Sequence, residues 1–139
     1  MQRRERSIPT LVGLVVVFVQ SRHLPASRFV VFLAPVIATG NTAVVVASER
    51  SPLPALSLGE VLATSDVPGG VVNVLTGRTA EVAPWLASHM DVNAIDLTGV
   101  AGDTETATSL EVGATENLKR VLRAPDAEPD WTLDPGIER

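Results

Sequence analysis

The chain has 139 residues, with 16 acidic and 11 basic side chains, a formal net charge of -5 and no cysteine. This length suits a single domain, since domains commonly have about 100–150 residues. The acidic balance argues against a nucleic-acid partner, because duplex binding needs clustered Lys and Arg side chains. Without cysteine these residues form no disulfide, thiolate metal site or thiol nucleophile, which is compatible with a cytoplasmic location.

Two apolar runs, Leu11–Val19 and Phe29–Ile37, raise the question of a membrane segment or a signal peptide. Each run is too short to span a bilayer, which takes about 20 residues. Polar residues follow the first run where a signal peptide would have a small-residue cleavage site, so a secretory signal is the minor alternative. The sequence predicts that both runs belong to a soluble core and that the chain has no membrane partner.

Apolar runs bounded by turn residues alternate with helical patterns along the chain, which is typical of βαβ units and a parallel sheet. Strands are expected at 11–19, 42–47, 71–75, 94–97 and 119–122, and helices at 25–38, 51–65 and 80–89, with a weak helix over 103–113. The valine-rich segment Thr42–Ala47 is typical of a strand buried on both faces. The predicted fold is α/β, an open parallel sheet of about five strands with helices on both faces.

Individual residues refine these expectations. Gly40 suits a left-handed cap at the end of the first helix. In the third helix Val82, Trp85 and Leu86 share one apolar face. The segment 125–139 is rich in proline and acidic residues, so we expect an irregular tail after a domain spanning 1–124, with Trp131 packing back onto that domain.

Four segments occur in a fixed order along the chain. They read LAPVIATGNTAVVVASERSPL from Leu33, PGGVVNVLTG from Pro68, LASHMDV from Leu86 leading to Thr98-Gly99, and NLKRV from Asn117. Together they resemble the nucleotide-binding domain of the aldehyde dehydrogenase superfamily. The resemblance implies a Rossmann-like fold and an NAD or NADP cofactor. Because this chain departs from the family pattern at several positions, we expect binding of that cofactor to be weakened or lost.

The resemblance also implies where a cofactor would bind. The family holds the adenosine ribose with a lysine and a glutamate after its GNT segment; here Glu49 matches the glutamate and Val46 stands at the lysine position. A family Phe-Thr-Gly-Ser segment meets the pyrophosphate at a helix N-terminus; here Thr98 and Gly99 match, and Val100 replaces the serine. The alternatives are a solvated turn residue for Glu49 and a plain turn for Thr98-Gly99. If the geometry of the pocket persists, restoring lysine at Val46 and serine at Val100 is expected to raise nucleotide affinity.

The family's reaction uses a cysteine nucleophile, a glutamate base and an oxyanion-stabilising asparagine. Here Ala124 stands at the glutamate position and His23 at the asparagine position, so no catalytic residue is predicted. No metal-ligand spacing is present either. The leading hypothesis is a truncated, inactive family member, a pseudoenzyme or structural subunit that associates with itself or with a full-length paralogue. The alternative is the nucleotide-binding half of a split dehydrogenase, completed by a cysteine-bearing partner chain.

Overall fold

The computed structural model describes residues 13–18 and 33–123. Within them, five parallel strands form one open sheet: β1 Leu14–Phe18, β2 Thr42–Val46, β3 Val72–Leu75, β4 Val92–Asp96 and β5 Arg120–Leu122. The helices are α1 over residues 33–38, α2 Leu53–Ala63, α3 Thr79–Ser88 and α4 Thr104–Thr115, with a 3-10 turn Thr98–Val100 before α4. The predicted α/β architecture is confirmed.

The strand order is β3-β2-β1-β4-β5, so the central strand is the first of the described strands. Val16 on β1 lies opposite Val44 of β2 on one side and Ile95 of β4 on the other. The chain runs outward from β1 to β3 and then returns to the far side of β1. Open α/β sheets of this kind bind ligands beyond the carboxyl ends of the strands, where the order reverses. In this sheet the reversal lies between β1 and β4.

Two apolar clusters fill the space on the two faces of the sheet. The cluster under α1 and α2 has the buried members Leu33, Ala43, Val45, Ala47 and Ala55. The cluster under α3 and α4 has the buried members Val46, Ala83, Ala87, Val92, Ile95, Leu97, Val100, Ala107, Leu110 and Ala114. Neighbouring residues on a strand point to opposite faces, so Val45 and Val46 serve different clusters, as expected for a strand buried on both faces.

The third helix uses most of the apolar face that its sequence predicts, because Val82 and Leu86 pack against the cluster under α3 and α4, but Trp85 does not. Trp85 is 77% exposed, whereas Ala83 and Ala87 are buried. The reason is the close approach of α4: a Cβ added to Gly113 would lie 3.3 Å from the Cβ of Ala87. Only small side chains fit between helices at this distance, so alanine rather than tryptophan occupies the contact.

The fourth helix is regular although its Thr-rich sequence favours a helix only weakly. Asp103 caps it, accepting hydrogen bonds from the Thr106 backbone N–H at 3.0 Å and from its hydroxyl at 2.7 Å. Ala107, Leu110 and Ala114 then bury one face against the sheet. Capping and packing therefore supply what intrinsic propensity lacks.

Other expectations concern Gly40 and the chain ends. Gly40 has φ 81°, in agreement with the predicted left-handed cap. The start of the first predicted helix, His23, Ala124 and the tail with Trp131 lie outside the described residues. Across 13–18 and 33–123, no helix has both the length and the hydropathy needed to cross a membrane.

Candidate functional site

The five predicted cofactor positions meet at one edge of the sheet. Val46 is the last residue of β2 and Glu49 follows in the loop, while Thr98, Gly99 and Val100 form the turn after β4. These strands flank β1 and run parallel to it, so their carboxyl ends open on the same side. The segment that follows β1, at 19–32, is outside the described residues.

Glu49 is exposed, but its carboxylate already has a partner within the fold. It accepts a hydrogen bond from the backbone N–H of Thr79, the first residue of α3. The residue at the N-cap position, Arg78, gives no side-chain cap to this helix. Glu49 therefore caps α3 from 30 residues away in sequence, and its negative charge suits the positive end of the helix dipole. A carboxylate has about four lone-pair sites, so acceptor capacity for a ribose hydroxyl remains.

The turn after β4 is held by a buried carboxylate that sequence reasoning missed. The Thr98 N–H donates to Asp96 Oδ1 at 2.8 Å. The N–H groups of Val100 and Ala101 donate to the carbonyls of Leu97 and Thr98, at 3.0 and 3.2 Å. Three backbone donors of the turn are thus used inside it and do not point to a phosphate. An aspartate two residues before Thr-Gly is a known turn signal, and it was available in the sequence.

Val46 and Val100 belong to the apolar core. Val46 is 0% and Val100 5% exposed, and both pack in the cluster under α3 and α4 with Ile95 and Leu97. At the positions where the resembled family has a lysine and a serine, this chain therefore has buried hydrocarbon. Neither position offers a hydrogen-bond donor to a ligand.

Asn41 of the GNT segment lies at the opposite edge of the sheet, where the strands begin. Asn41 Oδ1 accepts a hydrogen bond from the Gly13 N–H at 2.9 Å and so fastens the start of β1. Beside it lies a cavity of about 480 Å³ whose walls include Ile37, Asp66 and Pro68. Because this cavity is at the far end of the strands, it is not part of the candidate cofactor site.

His89 and the remaining acidic side chains are the other candidates for a catalytic or metal-binding role. His89 Nδ1 accepts a hydrogen bond from the Asp91 N–H at 3.2 Å, in the turn before β4, which is a structural role. Within the described residues, no group of three or more His, Cys, Asp and Glu side chains is placed to hold a metal ion.

Comparison with known proteins relates this arrangement to a family. The family model of the aldehyde dehydrogenase family matches residues 12–124. Mitochondrial aldehyde dehydrogenase of Sus scrofa is 35% identical over 113 residues, covering 73% of this chain and 21% of that protein. The corresponding Leishmania tarentolae protein is 38% identical over 89 residues, covering 64% of this chain and 18% of its own length.

Solved structures give the same result. An aldehyde dehydrogenase from Bartonella henselae superposes with a TM-score of 0.69 at 30% identity, covering 78% of this chain and 22% of that one. Betaine aldehyde dehydrogenase from Staphylococcus aureus, solved in complex with NAD+, superposes with a TM-score of 0.71 at 26% identity, covering 78% and 21%. The chain thus spans about a fifth of the length of the relatives it matches.

Proposed function

Because this chain belongs to the aldehyde dehydrogenase family, we propose that it is an inactive scaffold derived from the nucleotide-binding domain, a pseudoenzyme or structural subunit. One observation carries the proposal. At the positions that the family resemblance assigns to cofactor contacts, the side chains stabilise the fold: Val46 and Val100 pack in the core, and Glu49 caps α3.

The chemistry of these residues supports the same conclusion. Covalent catalysis on an aldehyde needs a nucleophile, and the 139 residues contain no cysteine. By the family resemblance, Ala124 stands where the general base would be. Residues 1–139 alone therefore have neither the thiolate nor the carboxylate that the reaction uses.

The residues present fit a dinucleotide only in part. Glu49 keeps acceptor capacity for a ribose hydroxyl, but Val46 and Val100 supply no donor, and three N–H groups of the Thr98 turn are used internally. We therefore propose that NAD or NADP binding is weak or lost. A cytoplasmic location remains a prediction from the cysteine-free composition; the Sus scrofa and Leishmania tarentolae relatives are mitochondrial proteins.

A second candidate is the nucleotide-binding half of a split dehydrogenase, completed by a cysteine-bearing chain. Two observations favour it: the sheet keeps its order reversal between β1 and β4, and Glu49 remains exposed at that edge. A dinucleotide could then bind where the order reverses, while the partner chain supplies the nucleophile.

Isothermal titration of the purified chain with NAD and with NADP separates the two. The inactive scaffold predicts no saturable heat up to millimolar cofactor, and the split enzyme predicts saturation. If saturation occurs, Glu49→Gln should weaken binding at this site, whereas Glu60→Gln on the exposed side of α2 is the matched control and should not. Aldehyde oxidation by the purified chain alone would contradict both candidates.

A further inference from the structure

The segment that joins β4 to α4 has a carboxylate at each end. Asp96, the last residue of β4, is 9% exposed and lies opposite Val17 of β1, so it stands where the strand order reverses. Asp103 is the residue before α4, at the N-cap position. A segment between the carboxyl end of a strand and the N-terminus of a helix is where α/β folds commonly bind a phosphate.

Both carboxylates accept hydrogen bonds from backbone N–H groups at this place. Asp96 Oδ1 accepts from the Thr98 N–H at 2.8 Å, and Asp103 Oδ1 accepts from the Thr106 N–H at 3.0 Å. The bonds from the backbone N–H and the hydroxyl of Thr106 hold the pKa of Asp103 below its ordinary value. The N-terminus of α4 therefore stabilises a negative charge, but that charge belongs to the protein itself. These donors are satisfied without a ligand.

The helices on either side of β4 bring further negative charge. From Thr79 to Leu118, a stretch that includes α3, β4 and α4, the sequence has seven acidic side chains and no Lys or Arg. One of the seven, Glu105, is exposed in the first turn of α4. Phosphate sites usually add Lys or Arg side chains to the N–H groups of a helix N-terminus. In this segment, an approaching phosphate meets carboxylates instead.

The cations at the carboxyl edge of the sheet do not change this balance. Among the described residues three arginines lie there, and each is beside a glutamate: Arg78 with Glu81 at 3.2 Å, Arg123 with Glu111 at 3.5 Å, and Arg50 directly after Glu49 in the chain.

We infer that Asp96 and Asp103 act as internal anions that make the segment between β4 and α4 reject phosphate groups. The inference rests on the proposed function, because it names the side chains that weaken the binding of NAD and NADP. Each dinucleotide carries two linked phosphates, and the two carboxylates repel them while they occupy the N–H donors. The segment thus discriminates against phosphate in general, and not against the dinucleotide as a whole.

Replacing both carboxylates with amides tests the inference. Asp96→Asn/Asp103→Asn removes two negative charges but keeps an acceptor oxygen at each position. Asparagine caps a helix about as well as aspartate does, so we expect this amide variant to fold, and far-UV circular dichroism verifies it. The side-chain amides can also donate hydrogen bonds to a phosphate.

A control variant makes the same change in net charge at the other end of the same two elements. Asp91 precedes β4 and Glu116 follows α4, and both are exposed. Asp91→Asn/Glu116→Gln therefore reproduces the loss of two negative charges without touching the segment between β4 and α4. Any difference between the two variants is due to the position of the charges.

Inorganic pyrophosphate is the probe, and the backbone amide signals of residues 98–105 in an NMR titration report binding at this segment. We expect no saturable shift of these signals in the wild-type chain or in the control variant at millimolar pyrophosphate. The amide variant should bind at least about tenfold more tightly than the control, because removing one like charge about 4 Å away in water changes an equilibrium about fivefold.

Equal binding of pyrophosphate by the two variants, or no binding by either, would overturn the inference in folded protein. That result would leave the inactive scaffold in place, since the scaffold requires only that the unaltered chain does not bind NAD or NADP. Saturable binding of NAD by the wild-type chain, together with tighter pyrophosphate binding by the amide variant, would contradict the scaffold and support the inference.

Discussion

Replacing Val46 with lysine tests whether the end of β2 belongs to the core or to a cofactor site. The resembled family has a lysine at this position, so the substitution would restore a ribose contact if the side chain reached a pocket. In this fold Val46 is 0% exposed and packs with Ile95 and Leu97. We therefore expect Val46→Lys to lower the free energy of unfolding rather than to raise nucleotide affinity.

The magnitude follows from the burial of the side chain. Burying a valine contributes about 1.5–3 kcal/mol, and an unpaired charge in a core costs about 3–5 kcal/mol. These terms do not simply add, because the lysine stem keeps part of the apolar contact and a buried amine can release its proton. We expect a loss of about 3–5 kcal/mol, a large part of the 5–15 kcal/mol that is typical for the stability of a domain.

The loss of stability in Val46→Lys should also depend on pH, and the burial of the lysine determines the direction of this dependence. Burial lowers the pKa of a lysine, so the folded variant binds fewer protons than the unfolded chain between that lowered pKa and about 10.4. Stability rises with pH wherever the unfolded state binds more protons. The difference between Val46→Lys and wild type should therefore shrink as the pH rises through this window.

Urea unfolding at pH 7 and at about pH 9.5, followed by far-UV circular dichroism, measures both effects. Val46→Met introduces a longer side chain without charge; its extra volume in the core should cost about 1–3 kcal/mol, with no dependence on pH. Val61→Lys places the same lysine at a position that is 62% exposed and should change stability by no more than about 0.5 kcal/mol. If Val46→Lys were as stable as Val61→Lys and gained NAD binding, the assignment of residue 46 to the core would be refuted.

Three further substitutions test local features of the fold. Glu49→Ala removes the cap of α3 at Thr79 and should cost about 1 kcal/mol in thermal unfolding, whereas Glu49→Gln, which keeps an acceptor, should cost less. Hydrogen bonds from the Thr106 backbone N–H and hydroxyl hold the pKa of Asp103 below its ordinary value. The stability that they add is therefore present above the unfolded pKa of about 3.9 and lost as the pH falls through the folded pKa, and acid unfolding of Asp103→Asn should lack this component. Leu118 has φ 53° and is 92% exposed, so Leu118→Gly should relieve about 1 kcal/mol of backbone strain and raise the Tm; a lower Tm would mean that this leucine makes a stabilising contact.

The sheet could be predicted from the sequence because its signals are local. The valine-rich run at Thr42–Val46 identifies a strand buried on both faces, and Gly40 identifies the end of the helix before it. The sequence predicts only a weak fourth helix, because its residues have low helix propensity. The helix is stabilised by tertiary packing, in which Leu110 and its neighbours bury one face. The exposure of Trp85 could not be predicted, since it depends on how closely Gly113 of α4 approaches α3.

For the candidate site too, the sequence predicts the positions but not the tertiary contacts around them. The family resemblance predicts that a cofactor would be held at the positions of Glu49, Val46 and Val100, but it does not give their surroundings. The bond between Glu49 and the N–H of Thr79 joins residues 30 apart, and no local pattern predicts it. The burial of both valines likewise depends on α3 and α4 closing over the sheet.

Exchanging cofactor contacts for core contacts changes what stabilises the domain. Binding of NAD raises the free energy of unfolding of a domain by RT ln(1 + [L]/Kd), which is about 2.7 kcal/mol when the NAD concentration is 100 times Kd. Burial of two valines such as Val46 and Val100 contributes a similar or larger amount, at about 1.5–3 kcal/mol each. A scaffold stabilised in the second way needs no ligand, so millimolar NAD should leave its Tm unchanged. The split enzyme, with a Kd near 10 μM, should show a rise of roughly 10 °C under the same conditions. A scanning-fluorimetry shift of that size, abolished by Glu49→Gln but not by Glu60→Gln, would show that the edge of the sheet still recognises the dinucleotide despite its buried valines.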